Sequence, residues 1–66
     1  MNLLGERLDR GLSSQEAAQQ IGVSQFVLLN AEQSGDMPRR PRDAKAIADF
    51  YGAKVTEIWP LDREAA

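Results

Sequence analysis

Four cations crowd into seven consecutive residues: Arg39, Arg40, Arg42 and Lys45, with Asp43 as the only carboxylate among them. Guanidinium groups clustered in this way suit phosphate oxygens, which they can bond with two parallel N–H groups. The plainer reading is a solvated basic loop that aids solubility. The other chemistry-bearing types are sparse. The chain has no histidine and no cysteine, which excludes a disulfide framework and any thiolate or imidazole metal site. The carboxylates Glu6, Asp9, Glu16, Asp43, Asp49 and Glu57 show no spacing beyond that of solvated helix faces. A chain of 66 residues also has little room for a deep pocket. Catalysis and a cofactor are therefore not expected.

Composition bounds the architecture. At 66 residues and 42 % hydrophobic content the chain fits one domain. A domain this small buries only ~60 % of the surface its unfolded chain exposes, so short helices with short loops are the economical solution. Net charge is −2 and the pI is about 4.9, which counts against nucleic-acid binding. The distribution works the other way. Residues 39–45 are net positive, while 1–38 and 46–66 are each net negative. A local patch can serve phosphates within an acidic total, with weak non-specific affinity. The N-terminus has no long apolar run, so neither a signal peptide nor a membrane span is expected, and a cytoplasmic setting is compatible.

The elements that must position these groups are readable from caps and periodicity. LLGERLDR, residues 3–10, reads as a first helix capped by Asn2, with Leu4 and Leu8 spaced i, i+4 to face inward and Gly11 ending it. Ser13 and Glu16 form a capping box for a second helix. Ala17, Ala18 and Ile21 share its inner face, and Gly22 stops it. Ser24 caps a third helix over 25–33, with Leu28 and Ala31 inward and Gln25, Phe26, Leu29, Asn30 and Gln33 outward. Two helices joined by a short glycine-containing turn form the helix-turn-helix unit, whose second helix can enter a DNA major groove. QSGDMPRRP then reads as a turn-rich loop. Pro41 opens a fourth helix whose Ala44, Ile47, Ala48 and Tyr51 form an apolar stripe, ending at Gly52. VTEIWP is a short fifth helix that packs Val55, Ile58 and Trp59 on the fourth. One domain over 1–60 is expected, followed by a short loose tail, 61–66.

This order of residues resembles the lambda-repressor/Cro-like helix-turn-helix family. Arg7, Gly11-Leu12-Ser13, Glu16, Ala18, Gly22-Val23-Ser24, Leu28, Glu32, Ile47-Ala48, Gly52 and Ile58 carry the likeness, which spans roughly Leu4 to Pro60. It implies an all-α, four- to five-helix bundle that binds duplex DNA as a sequence-specific transcriptional regulator of bacterial or phage type. It also implies a homodimer, at least on DNA, on half-sites about one helical turn (~34 Å) apart. In the family an arginine at the Arg7 position pairs with a glutamate after the recognition helix, here Glu32. The bland alternative is a local pair with Glu6 or Asp9.

The resemblance also assigns contacts. Gln25 sits where the family's helix enters the groove, and its amide can bond adenine N6 and N7 together. Asn30 and Gln33 are weaker candidates on the same side. Phe26 and Leu29 have three open readings: contact with thymine methyl groups, a rotated helix that buries them, or a protein-binding face. The third helix has no lysine or arginine, so the common arginine–guanine contact is missing and A/T-rich sites are expected. Ser14, Gln15 and Ser24 at helix starts and Arg39, Arg40, Arg42 and Lys45 are the phosphate candidates. Many family members carry glutamine at the Ser14 position, bonded to both a phosphate and the base-reading glutamine. Serine is shorter, and Gln15 points about 100° away around the helix, so Gln25 is expected to lack this support. A dimer surface is expected around Phe50, Trp59 and Leu61. The rival reading is a protein-interaction module on the same fold, antitoxin-like or phage-regulator-like, with weak DNA binding.

Overall fold

The computed structural model describes residues 1–60. It is all-α, with five helices in chain order: α1 Leu3–Asp9, α2 Ser14–Ile21, α3 Gln25–Ser34, α4 Pro41–Phe50 and α5 Val55–Ile58. Local hydrogen bonds set four of the five starts, and a proline marks that of α4. Asn2 Oδ1 accepts the Gly5 N–H at 3.0 Å. Ser13 Oγ accepts the Glu16 N–H at 3.1 Å, while Glu16 Oε1 accepts the Ser13 N–H at 3.0 Å. Ser24 Oγ accepts the Val27 N–H at 3.1 Å. Pro41 is at the first turn of α4, and Glu57 Oε1 accepts the Lys54 N–H at 2.7 Å ahead of α5. Each bond occupies an amide that a helix terminus otherwise leaves unpaired.

The capping box has a pH signature. The Ser13 backbone N–H, then the Ser13 hydroxyl, hold the Glu16 carboxyl below its ordinary value of 4.5. A carboxyl depressed in the folded state adds stability above its unfolded pKa and loses it as pH falls through the folded one. Thermal melts are therefore expected to separate wild type from Glu16→Gln at neutral pH and to converge on the acid side of 4.5. A gap that stays constant across that range rejects the assignment.

Leu28 and Ile47 are wholly buried and form the centre of the core. Around them lie Ala17 and Ala18 of α2, Ala31 of α3, Ala44 and Ala48 of α4, and the larger Leu3, Tyr51, Ile58 and Trp59. Alanines at the contacts let helices approach closely. The order of packing is α2 on α3, α4 on α2 and on α5, and α1 on α3. Phe50 is half-buried and meets Tyr51 edge-on, with centroids 5.1 Å apart. Arg10 reaches from the end of α1 to lie 4.9 Å over the Tyr51 ring while its Nη1 donates to Glu6 Oε1 at 2.9 Å. Burial pushes the Tyr51 phenol up, and the Glu32 charge adds to that.

Three expectations are corrected. Leu4 and Leu8 do not face inward; they are 41 % and 61 % exposed, and Leu3 is the buried leucine at 5 %. Arg7 points at Glu32, and Leu3, four residues earlier, shares that face. Trp59 is 6 % exposed, so it belongs to the core and not to a dimer surface. The third helix runs one residue past the expected 33, because Ser34 stays helical and Gly35 takes the left-handed cap at φ +75°. Leu61 and the expected loose tail lie outside the described residues. Among the described residues, no helix is long and apolar enough to cross a membrane.

Candidate nucleic-acid interface

The turn between α2 and α3 is where the candidate site begins. Gly22 adopts φ +93°, a region that side chains with a Cβ enter at a cost. Its N–H and that of Val23 both donate to the Ala18 carbonyl, at 2.8 and 3.1 Å. The chain thus reverses within three residues and starts α3 at once with Ser24 as cap.

Residues of α3 advance by about 100° each, so the burial pattern orients the helix. Leu28 and Ala31 are buried, with Val27 and Glu32 half-buried beside them. The opposite side is centred on Phe26 and Gln33, both exposed, with half-buried Leu29 toward one edge and exposed Asn30 toward the other. Phe26 is 80 % exposed, which removes the rotated-helix reading for it. Gln25 lies at the edge nearest α2.

Gln25 is not unsupported. Its Nε2 donates to Ser14 Oγ at 2.8 Å. The expectation that serine is too short is overturned, because Ser14 and Gln25 are brought close enough for a single hydrogen bond to span the gap. The bond uses one amide proton. The second proton and Oε1 stay available, which is the donor–acceptor pair that adenine N7 and N6 require. Gln15 is exposed beside Ser14, and the Ser24 hydroxyl, already accepting from Val27, can still donate.

The opposite edge of α3 borders a shallow cleft of about 920 Å³. Ser24, Val27, Asn30 and Ser34 form its α3 wall; Arg39, Arg40 and Arg42 form the facing wall. None of these three arginines makes an ion pair among the described residues. Asp36 and Asp43 also line the cleft and moderate its potential. Ser34 shapes the approach to the loop, since its Oγ donates to the Asn30 carbonyl at 2.6 Å and accepts the Asp36 N–H at 3.1 Å. Lys45 stands apart from the arginines. It borders a second, more apolar groove between α4 and α5 and contacts Asp49 at 3.3 Å. Arg42, three residues earlier on α4, borders the first cleft instead.

Behind the exposed face, Arg7 Nε and Nη2 donate to Glu32 Oε2 and Oε1 at 2.8 and 3.1 Å. Arg7 Nη1 also donates to the Leu12 carbonyl at 3.1 Å. The hydrogen bond to Glu32, against the cost of burial, holds the Arg7 pKa above its ordinary value. This fork fixes α3 from behind, between α1 and the start of the α2 loop. Sequence reasoning missed three features here: the Ser14 brace, the separation of Lys45, and the placement of Arg10 over Tyr51. No local pattern signals the first or the third, whose partners lie eleven or more residues apart. Among the described residues no group of His, Cys, Asp or Glu is arranged to hold a metal ion.

Compared with protein-family models, curated proteins and solved structures, the chain matches none.

Proposed function

We propose that this chain is a sequence-specific duplex-DNA-binding transcriptional regulator, with α2 and α3 acting as a lambda-repressor/Cro-like helix-turn-helix and α3 reading the major groove. The observation that carries the reading is the Ser14–Gln25 hydrogen bond. It presents an oriented amide at the start of a helix whose exposed side also carries Asn30 and Gln33 further along. A B-DNA major groove is about 12 Å wide, and an α-helix with its side chains is roughly 10–12 Å across. A helix seated in the groove has a phosphate strand on each side. Here one edge of α3 is flanked by Ser14 and Gln15 at the start of α2, and the other borders the cleft lined by Arg39, Arg40 and Arg42. The acidic remainder of the chain suits weak non-specific binding, so that contacts to bases matter more to overall affinity. The protein acts as a dimer on paired half-sites, through a surface other than Trp59.

A second reading is favoured by one observation. Phe26 is 80 % exposed, as an anchor for a protein partner would be. Selection from a random duplex library at low and moderate salt separates the two. An enriched motif, above all a spaced inverted repeat, supports sequence-specific regulation by a dimer. Retention that has no motif and vanishes with salt leaves phosphate attraction alone. Absence of retention at either salt favours the protein-binding module. On an enriched duplex, Gln25→Ala is expected to weaken binding by tenfold to a hundredfold, in line with about 1–3 kcal/mol for a bidentate base contact. Its loss should relax preference at one or two base pairs only. A uniform loss across all sequences would reassign Gln25 to the backbone.

A further inference from the structure

We infer that Phe26 reads the 5-methyl group of a pyrimidine, that of thymine or of 5-methylcytosine; the inference rests on the DNA-binding reading above. Phe26 occupies the middle of the exposed face of α3 and is 80 % exposed. It follows directly after Gln25, about 1.5 Å further along the axis and 100° around it. A helix that places the Gln25 amide on one base pair therefore carries the phenyl ring over a neighbouring position. The major-groove edge of a pyrimidine offers one apolar group, the methyl at C5, and only when the base is thymine or its cytosine counterpart is methylated.

The surroundings favour this occupant over a protein. The arginines that flank the same helix have no ion-pair partner among the described residues, so the basic edge of α3 on the Asn30 side is complementary to a phosphate strand. The face also has no cation of its own between Ser24 and Gln33. Guanine is therefore not read there by arginine or lysine. The readout available to α3 consists of amides and one exposed aromatic ring. An unsatisfied exposed phenyl in water gains by covering a methyl group, and an unmethylated cytosine or a uracil offers nothing apolar at that point.

The test uses the duplex enriched from the library and replaces each thymine in turn by deoxyuridine, which keeps every hydrogen-bonding group and lacks only the methyl. At one or two positions per half-site, wild-type affinity is expected to fall about fourfold, the change that matches one buried methyl-sized group. Phe26→Ala is expected to bind thymine and uracil duplexes alike at those positions, and Phe26→Leu to keep part of the discrimination. Because the side chain is exposed, both variants should melt as wild type does. A parallel arm places cytosine or 5-methylcytosine at the same positions, and tighter binding of the methylated base extends the readout to that source. Equal binding of cytosine and 5-methylcytosine confines it to thymine. Wild type that binds uracil and thymine duplexes equally at every position overturns the inference and leaves DNA binding intact. Discrimination that survives in Phe26→Ala overturns it too, and assigns the methyl contact to another side chain. A library that enriches nothing overturns both this inference and the reading on which it rests.

Discussion

Arg7→Ala and Glu32→Ala are each expected to destabilise the domain by about 2 kcal/mol, seen as a fall in melting temperature of roughly 8–16 °C. The pair is bidentate, at 2.8 and 3.1 Å, and its side chains are only 11 % and 2 % exposed. Removing either partner leaves the other largely covered and uncompensated. A deeply buried pair costs about 3–5 kcal/mol when broken. The figure here is smaller because only a thin layer of protein covers Arg7 in so small a domain. Arg7→Ala also frees the Leu12 carbonyl, which Arg7 Nη1 holds at 3.1 Å. Even about 2 kcal/mol is a large part of the stability of a small domain, typically a few kcal/mol in total. Arg7→Lys is expected to recover only part of the loss, since an ammonium cannot form the fork. Circular-dichroism melts of both single variants and the double variant check the coupling. A double variant little worse than either single supports a direct pair; simple additivity rejects it. Because α3 is held from behind by this fork, variants that still fold should also bind duplex DNA less well at elevated temperature.

The largest effect on binding is expected from replacing Arg39, Arg40 and Arg42 together with alanine. Each phosphate contact adds about 0.9 to the slope of log affinity against log salt on B-DNA. Loss of three such contacts should flatten the slope by up to about 2.7 and weaken binding by roughly a hundredfold or more at low salt. The loss should be the same for enriched and scrambled duplexes, because a phosphate contact has no sequence information. The melting temperature should change little, since these arginines are exposed and make no ion pair among the described residues. Titrations at several salt concentrations measure both quantities. A changed base preference would make at least one of the three a base reader, and an unchanged slope would return the segment to a solvated basic loop. Lys45→Ala provides the contrast. Lys45 borders a different groove and faces Asp49, so its removal should leave the slope near that of wild type.

Much of the fold was legible because it is encoded by near neighbours. Asn2, Ser13 with Glu16, and Ser24 each bond an amide three residues ahead. A reader of the chain sees both partners within one turn. Pro41 at the start of α4 and glycines just after helix ends act through their own backbone preferences. The Ala44, Ile47, Ala48 and Tyr51 stripe follows from helical period alone, and all four are buried. The all-α class and the positions of the helices needed nothing more.

The rotation of α1 could not be read in that way. LLGERLDR offers Leu3 with Arg7 and Leu4 with Leu8 as equally spaced inward pairs. The choice falls to Leu3 because Arg7 finds Glu32, 25 residues away, and a helix has one inner face. Trp59 has two readings in the sequence, packing on the fourth helix and a dimer surface, and its burial in the core beside Ile58 leaves the first. In the candidate site, composition alone located the arginine cluster and the amides of α3. Only the close approach of α2 and α3 joined Ser14 to Gln25. The packing of α5 on α4 likewise set Lys45 on a different groove from Arg42. Helices, caps and charge clusters are local properties, determined by residues within a few positions of one another. Which face a helix turns inward, and which side chains then meet, depends on partners distant in the chain, and only the packed tertiary structure decided that.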